Sequence, residues 1–448
     1  MRLQDQVFEV YKNSINGDME GNRAGAIAMK EALENSPLNH NGVLEKTLQI
    51  PKVFDAETVK HFREITDITI RIFDKVVSEY RKNPDYRKLF PFSKELEELI
   101  LLPASYDGNL AIARLDLFYD QNSGDFRFCE INTDGTAAMY RDLEMRKALI
   151  YNPAHRAVEE RFELEPFELF DSWVQTFMSL YDTYGKKREN PYVVMPDFLE
   201  NATIKEFEEF ERSFKKAGIQ CEICDIRSLK YIDGVLYTAE GKRIDAIYRR
   251  AVTADIMAHF DEVGDFIQAV RDDAVFVAGA FATQIIHNKW IFHVLRHEQT
   301  KAFLTAEEVR FVEEHIPLTL ELSADYILPE EVSRSKDRWI IKPMDAYASK
   351  GIYAAGKDYA QEDWDRLIAE LYGKGYICQE YCKQYMTDNI DFAWGDGEWH
   401  PYINMPGLYI YNRKFVGVLM RMACGENIIV AHENERTVPV FTVSESKG

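Results

Sequence analysis

Apolar residues recur along this chain in two rhythms, and the change from one to the other divides it. In residues 1 to about 100 the helical spacing dominates. Asp55 is placed to cap a long helix running to about Tyr80, with Val59, Phe62, Ile65, Phe73, Val76 and Val77 along one face. A further helical region, about 155 to 185, leads into Gly185-Lys186-Lys187-Arg188-Glu189-Asn190-Pro191, a break suited to a linker. From Tyr192 the texture changes. Tyr192 to Met195 begins an apolar strand that ends at Pro196-Asp197, followed by a helix with Ile204, Phe207, Phe210 and Phe214 on one side. A strand from Gln220 to Ile226, a hairpin at Asp233-Gly234 and a strand ending Ile247-Tyr248-Arg249-Arg250 come next. Strand, helix, strand predicts a small open α/β domain. Beyond about residue 290 helices alternate with β-rich segments, the clearest strands being Trp339 to Pro343 and Tyr376 to Tyr381. The expected division is therefore 1–190, 191–285 and 286–448.

Between the first helices and the linker lies a different pattern. Arg114-Leu115-Asp116 and Cys129-Glu130-Ile131-Asn132 read as two short strands joined by the polar turn Asp120 to Asp125. Side chains alternate faces along a strand, so Arg114 and Asp116 share one face, and Glu130 and Asn132 another. A turn centred on Ser123 puts Asp116 opposite Glu130 and Arg114 opposite Asn132. Opposed carboxylates repel each other. Removing either is then expected to relieve strain in a metal-free hairpin. Oxygen donors without nearby His or Cys suit Mg²⁺, which also keeps waters and substrate phosphates. A solvent-facing hairpin of mixed charge carries the same pattern.

At 448 residues the chain is too long for one simple core. Its formal net charge of −21 argues against nucleic-acid binding and is compatible with a cationic small substrate. The N-terminus has no apolar signal core, and no apolar run is long enough to span a bilayer. A cytoplasmic location without membrane contact is expected. Six cysteines in so long a chain make no disulfide framework. Cys221 and Cys224 have CxxC spacing but no second pair at zinc-site spacing, and read as structural thiols.

There is no Walker A sequence, GxGxxG, HExxH or GxSxG elbow. A phosphate site must be built otherwise, from Lys289 after Asn288, Lys342 before Pro343, and the small-residue loop Asp345 to Gly351. Taken together and in order, these motifs resemble the ATP-grasp ligases, specifically the synthetase domain of glutathionylspermidine synthase, over most of residues 100 to 448. The pairs Arg114, Asp116 and Glu130, Asn132 match its acidic motif. Asn288-Lys289 and Lys342-Pro343 resemble its two ATP-lysine segments, the second ahead of a phosphate-covering loop. Gln379-Glu380 resembles the strand meeting the adenine edge, and Val416 to Arg421 with Asn427 to Val430 its terminal strands. The acidic motif precedes the lysines, as in the circularly permuted group that includes eukaryotic glutathione synthetase.

The resemblance implies a circularly permuted ATP-grasp fold of the α/β (α+β) class, with a small open α/β domain and a helical N-terminal region. It implies an ADP-forming carboxylate–amine ligase acting through an acyl phosphate. Arg114 is then catalytic, Asp116, Glu130 and Asn132 hold Mg²⁺, and Lys289, Lys342, Ser349, Lys350, Gly351, Gln379 and Glu380 bind ATP. The partners are a small carboxylate (a peptide or amino acid) and an amine, with polyamines among the candidates; a homodimer is left open. Asp345, Glu380 and Asp391 are the nearest carboxylates in motif order to select a cationic amine. The phosphate loop departs from the family's usual Arg-Glu-Gly stretch, and no cysteine-amidase part precedes the ligase-like region, so hydrolysis of the product is not expected. A peptide or amino-acid ligase, a phosphotransferase without the ligation half, and a non-catalytic nucleotide-binding protein remain alternatives.

Overall fold

Asp55 does cap the long helix. Ala56–Lys82 runs for 27 residues, and the Asp55 carboxylate accepts from the Thr58 amide. The same carboxylate is gripped by Arg2, through Nε at 3.0 Å and Nη2 at 2.7 Å, which ties the cap to the first helix, Leu3–Gly17. The computed structural model describes residues 1–40, 43–106, 108, 110–344 and 354–445. No helix among them is long and apolar enough to cross a membrane.

The long helix backs a five-stranded antiparallel sheet. Its strand order is Arg436–Val438, Lys414–Met422, Met405–Tyr411, Ile112–Tyr119, Phe126–Asn132. Two segments far apart in the chain are thus neighbours in the sheet. Period-two alternation gives this sheet two unlike faces. Leu115, Leu117, Leu408, Ile410, Val418 and Met420 share one core with Phe62, Ile65 and Phe73 of the helix. Arg114, Asp116, Gly407 and Arg421 belong to the alternate positions. That second face packs Ile112, Tyr409, Tyr411 and Leu419 into another core, and its polar residues border a cavity.

Two smaller sheets complete the surroundings of that cavity. One is parallel throughout, in the order Phe276–Ala278, Ala246–Tyr248, Tyr192–Asp197, Gln220–Asp225. The other is antiparallel, in the order Thr319–Glu321, Tyr376–Glu380, Trp339–Pro343, Ala354–Ala355. The helix Ile204–Lys216 buries Phe207, Phe210 and Phe214, as its spacing predicts. Burial raises the Cys221 thiol and pushes Cys224 up to about 12, which suppresses thiolate chemistry at the CxxC pair.

The continuous helical region expected over about 155 to 185 is interrupted. Phe162–Pro166 is a strand between the helices Pro153–Glu159 and Asp171–Tyr181. Phe162-Glu163-Leu164-Glu165 alternates apolar and acidic residues, the strand period. It pairs antiparallel with Val440–Glu445, whose other edge takes Lys52–Phe54 in parallel. Its partner lies far along the chain, so the helical segments on either side masked it.

That three-stranded sheet carries a buried lysine. Lys52 is 8% exposed, and its Nζ donates to Asn404 Oδ1 at 3.0 Å and Thr387 Oγ1 at 3.3 Å. Burial lowers its pKa from 10.5 to about 7. Between those pH values the unfolded chain holds a proton that the folded chain has released, so stability rises with pH across the window. At pH 7 and below, the cost of burying the charge is borne in full. Lys52→Met is expected to stabilise the protein by about 1 kcal/mol or more at pH 7, with the advantage shrinking toward pH 10. Urea unfolding at pH 7 and pH 9.5 checks this; a variant less stable than the parent at both would overturn it.

Candidate active site

The hairpin pairs as its sequence implies, with Arg114 opposite Asn132 and Asp116 opposite Glu130. The register reaches that pairing by way of a bulge. Nearer the turn Leu117 faces Phe128, one residue out of step, and the irregularity falls between Asp116 and Leu117. The extra residue is Cys129, and both Cys129 and Glu130 reach the cavity wall. Bulges re-aim side chains in this way.

Asp116 is fully buried, and its carboxylate is saturated with donors. Arg114 donates from Nε to Oδ1 at 2.7 Å and from Nη2 to Oδ2 at 3.0 Å. Arg421 Nη2 reaches Oδ2 at 2.6 Å, and Asn132 Nδ2 reaches it at 2.9 Å. The positive charge beside Asp116 is therefore supplied by two guanidiniums. The expected relief of strain on removing either carboxylate does not hold for Asp116, because its loss would strand two buried cations. Arg114 is steadied further by the Ala137 carbonyl at 2.9 Å. Burial works against both guanidiniums, but the carboxylates beside them hold the pKa of each above the usual arginine value.

Gly407, directly across from Asp116 on the neighbouring strand, makes this packing possible. A Cβ there would lie 2.5 Å from Asp116 Oδ1 and 2.8 Å from Arg114 Cδ. The sequence carried a signal for it, since glycine inside an apolar strand marks close approach of other atoms.

On the cavity side of the pair sits Glu130. Lys289 Nζ is 3.4 Å from its Oε1. Burial would raise the Glu130 carboxyl, yet Lys289, Arg421, Arg114 and Lys342 outweigh it and hold the group at about 2. Lys289 is delivered by a turn in which Asn288 Oδ1 accepts from the Trp290 amide at 2.9 Å, before the buried helix Ile291–Arg296. Lys342 comes from the Trp339–Pro343 strand, and its Nζ donates to Gln379 Oε1 at 2.8 Å. Gln379 in turn donates to Thr319 Oγ1 at 2.9 Å.

These residues share one cavity of about 670 Å³. Arg114, Glu130, Asn132, Lys289, Lys342, Gln379 and Glu380, all singled out in the sequence, line it, and so does Arg421. Asp116 sits behind that wall, so it holds the arginines in place from below. Ser349, Lys350 and Gly351 lie outside the described residues, as does Asp345. Asp391 is not part of the wall; it accepts from Arg436 Nε at 2.8 Å and from the Trp394 amide at 2.8 Å, 3% exposed. Sequence order alone had placed it near the amine.

The loop after the hairpin joins the central sheet to the parallel one. Asp134 pairs with Arg249 at 2.7 Å and accepts from the Thr253 amide at 2.6 Å and Gln284 Nε2 at 2.7 Å. Arg250 donates to the Thr136 carbonyl at 2.6 Å and the Tyr248 hydroxyl at 2.7 Å, and pairs with Glu206 at 3.1 Å. Past this clamp the cavity extends to Asp197 and Asp255. Burial pushes the Asp197 carboxyl up to about 6, Asp255 adding to the push while Arg250 and Arg249 oppose it.

No family model and no curated protein sequence matches the chain. Among solved structures, a glutathione synthetase-like effector from Globodera pallida, in its apo form, aligns over 93% of this chain and 96% of its own, with a TM-score of 0.60 at 9% identity. A putative gamma-glutamylcysteine synthetase from Methylobacillus flagellatus aligns over 87% of this chain and 89% of its own, with a TM-score of 0.46 at 13% identity. The first likeness shows the fold: the chain has the mixed α/β architecture of an ATP-grasp-type synthetase.

The two carboxylates predict unequal responses to neutralisation. Asp116→Asn leaves Arg114 and Arg421 buried against a neutral amide and is expected to cost about 3 kcal/mol of stability. Glu130→Gln removes a charge that the surrounding cations favour, but at the cavity face where solvent screens it, and should cost less, about 1–2 kcal/mol. Denaturant unfolding of both variants checks this, and equal losses would contradict the burial argument.

Proposed function

We propose that the chain is an ATP-dependent carboxylate–amine ligase that forms an amide through an acyl phosphate. The observation that supports this best is the convergence of four cationic side chains, Arg114, Arg421, Lys289 and Lys342, on Asp116 and Glu130 at one end of the cavity, where the other nearby carboxylate, Glu435, is paired with Arg141 at 2.6 Å. Four cations converging on one wall suit a polyphosphate.

A substrate carboxylate oxygen attacks the γ-phosphorus of ATP, and ADP leaves. The amine then attacks the acyl carbon and gives up a proton, and phosphate departs with the C–O bond electrons. Such transfer depends on positioning and charge neutralisation more than on a protein nucleophile. In this reading Lys289 and Lys342 grip the phosphates, Gln379 and Glu380 lie toward the base, and Arg114 faces the reacting carboxylate and then the oxyanion. The paired oxygens of Asp116 fix where both arginines point before substrate arrives.

Glu130 and Asn132 present hard oxygen donors at the cavity wall, and the Asn132 amide nitrogen is already spent on Asp116. Among the described residues no three His, Cys, Asp or Glu side chains gather as a metal cage. This donor set fits Mg²⁺, which is bound by one or two carboxylates together with substrate phosphates. Glu130 and Asn132 are the residues that would hold it, with Asp116 behind them, and the ion would offset phosphate charge when bound.

The narrower reading is a glutathionylspermidine synthase-like ligase with a polyamine acceptor, supported by the order of the sequence motifs. A peptide or amino-acid ligase shares the same machinery.

Purified protein, screened with a matrix of carboxylates and amines, is expected to release ADP only when both are present. Lys342→Ala and Arg421→Ala should each lower kcat/KM about 100-fold. ADP release without an amine would make the protein a phosphotransferase, and nucleotide binding without turnover would make it a binding protein. For a polyamine acceptor kcat/KM should fall as ionic strength rises, while that of a neutral acceptor barely moves.

A further inference from the structure

The parallel sheet has a property that the ATP end of the cavity does not explain. Its first strand, Tyr192–Asp197, lies between the second, Gln220–Asp225, and the third, Ala246–Tyr248. The chain therefore turns one way after the first strand and the other way after the second. In open parallel sheets the crevice at such a reversal, outside the carboxyl ends of the strands, is where ligands bind. Asp197 is the last residue of the first strand, and Arg249 and Arg250 follow the third.

The charges at that crevice do not cancel. Arg250 is matched by Glu206 and Arg249 by Asp134 in direct ion pairs; both act on Asp197 only through space and neither makes a salt bridge with it. Asp197 is 8% exposed and lines the cavity; among the described residues it makes no salt bridge, and it accepts a hydrogen bond from the amide of its neighbour Phe198. Asp255, in the first turn of Thr253–Ala258, lines the same wall and interacts with it through space. A carboxylate this buried with no cation in contact is costly to keep. The opposite end of the cavity gathers Arg114, Arg421, Lys289 and Lys342 around Glu130. The cavity as a whole is dipolar.

We propose that Asp197, assisted by Asp255, is a binding site for an ammonium group of the substrate, one that does not react. The proposal rests on the ligase reading for its chemistry. An ammonium held against a carboxylate keeps its proton, and an amine must lose that proton to attack an acyl phosphate. The bound group is thus a recognition handle. It belongs either to the carboxylate donor, as the free amino group of an amino acid or peptide, or to the acceptor, as the distal ammonium of a diamine or polyamine. In both cases the dipolar cavity orients the molecule, its ammonium toward the parallel sheet and its reacting end toward the arginines and lysines.

Equilibrium binding measured by calorimetry separates this proposal from the ligase reading, because it needs no turnover. The donor probes are glycylglycine and N-acetylglycylglycine; the acceptor probes are 1,4-diaminobutane and 1,4-butanediol. ATP binding is measured alongside. In at least one pair the ammonium member is expected to bind roughly tenfold or more tightly than its neutral counterpart. Asp197→Asn keeps the shape and the Phe198 hydrogen bond; it should abolish that preference and leave ATP affinity unchanged. The pair that responds identifies whether donor or acceptor carries the handle. If neither pair shows a preference, or if the preference survives Asp197→Asn, the ammonium site is wrong whatever the outcome of the ADP assay. If the preference behaves as expected but no ADP is released, the site stands and the ligase reading fails.

Discussion

The Asp116 carboxylate between two guanidiniums is the interaction on which the site depends. A buried carboxylate must be compensated or it neutralises itself, and here the compensation comes from three directions. Arg114 reaches it from its own strand, Asn132 from the next, and Arg421 from a strand some 300 residues later, while Gly407 leaves the space for all of them. Three of the five strands of the central sheet are joined at this point, across a fourth that carries Gly407. The arginines are thereby aimed into the cavity before any substrate binds, and preorganised charge of this kind needs no rearrangement at the moment of reaction.

From that staple the electrostatics of the cavity follow. Asp116 uses its charge on Arg114 and Arg421, and Glu130, facing Lys289, Arg421, Arg114 and Lys342 at the cavity wall, stays ionised far below neutral pH. The lysines arrive on separate supports, one after a turn locked by Asn288 and one on an antiparallel sheet. The Asp134–Arg249 pair connects this group to the parallel sheet, where the sign of the charge reverses. The two ends of the cavity are separated by a clamp whose own charges balance.

Local pattern and local pairing were readable from the chain. The Asp55 cap, the helix of Phe207, Phe210 and Phe214, and the pairing of Asp116 with Glu130 all depend on residues close in sequence. What escaped depends on partners far away. The central sheet takes Met405–Tyr411 and Lys414–Met422 beside Ile112–Tyr119, so nothing near residue 116 announces that Arg421 will meet it. The hairpin therefore read as two carboxylates in need of a metal, when arginine already answers one of them. The strand Phe162–Pro166 was hidden for the same reason, as its partner is Val440–Glu445. Asp197 looked like the end of a strand; its importance comes from the strand order of the parallel sheet, which spacing does not encode. The bulge at Cys129 shows a subtler limit. The pairing inferred at the site was right, but the simple count from the turn passes over a one-residue slip.

The interleaving of the central sheet also sets a timetable for the growing polypeptide. Ile112–Tyr119 leaves the ribosome long before Met405–Tyr411, the strand that covers its open edge. Roughly 270 residues separate the completed hairpin from that partner, which at about 5–20 residues per second is roughly 15 to 50 s of synthesis. Throughout that interval the hairpin lacks Arg421 and exposes a strand edge and an apolar face. The nascent chain must be kept from pairing that edge with other chains, and the site takes shape only once Lys414–Met422 has been made.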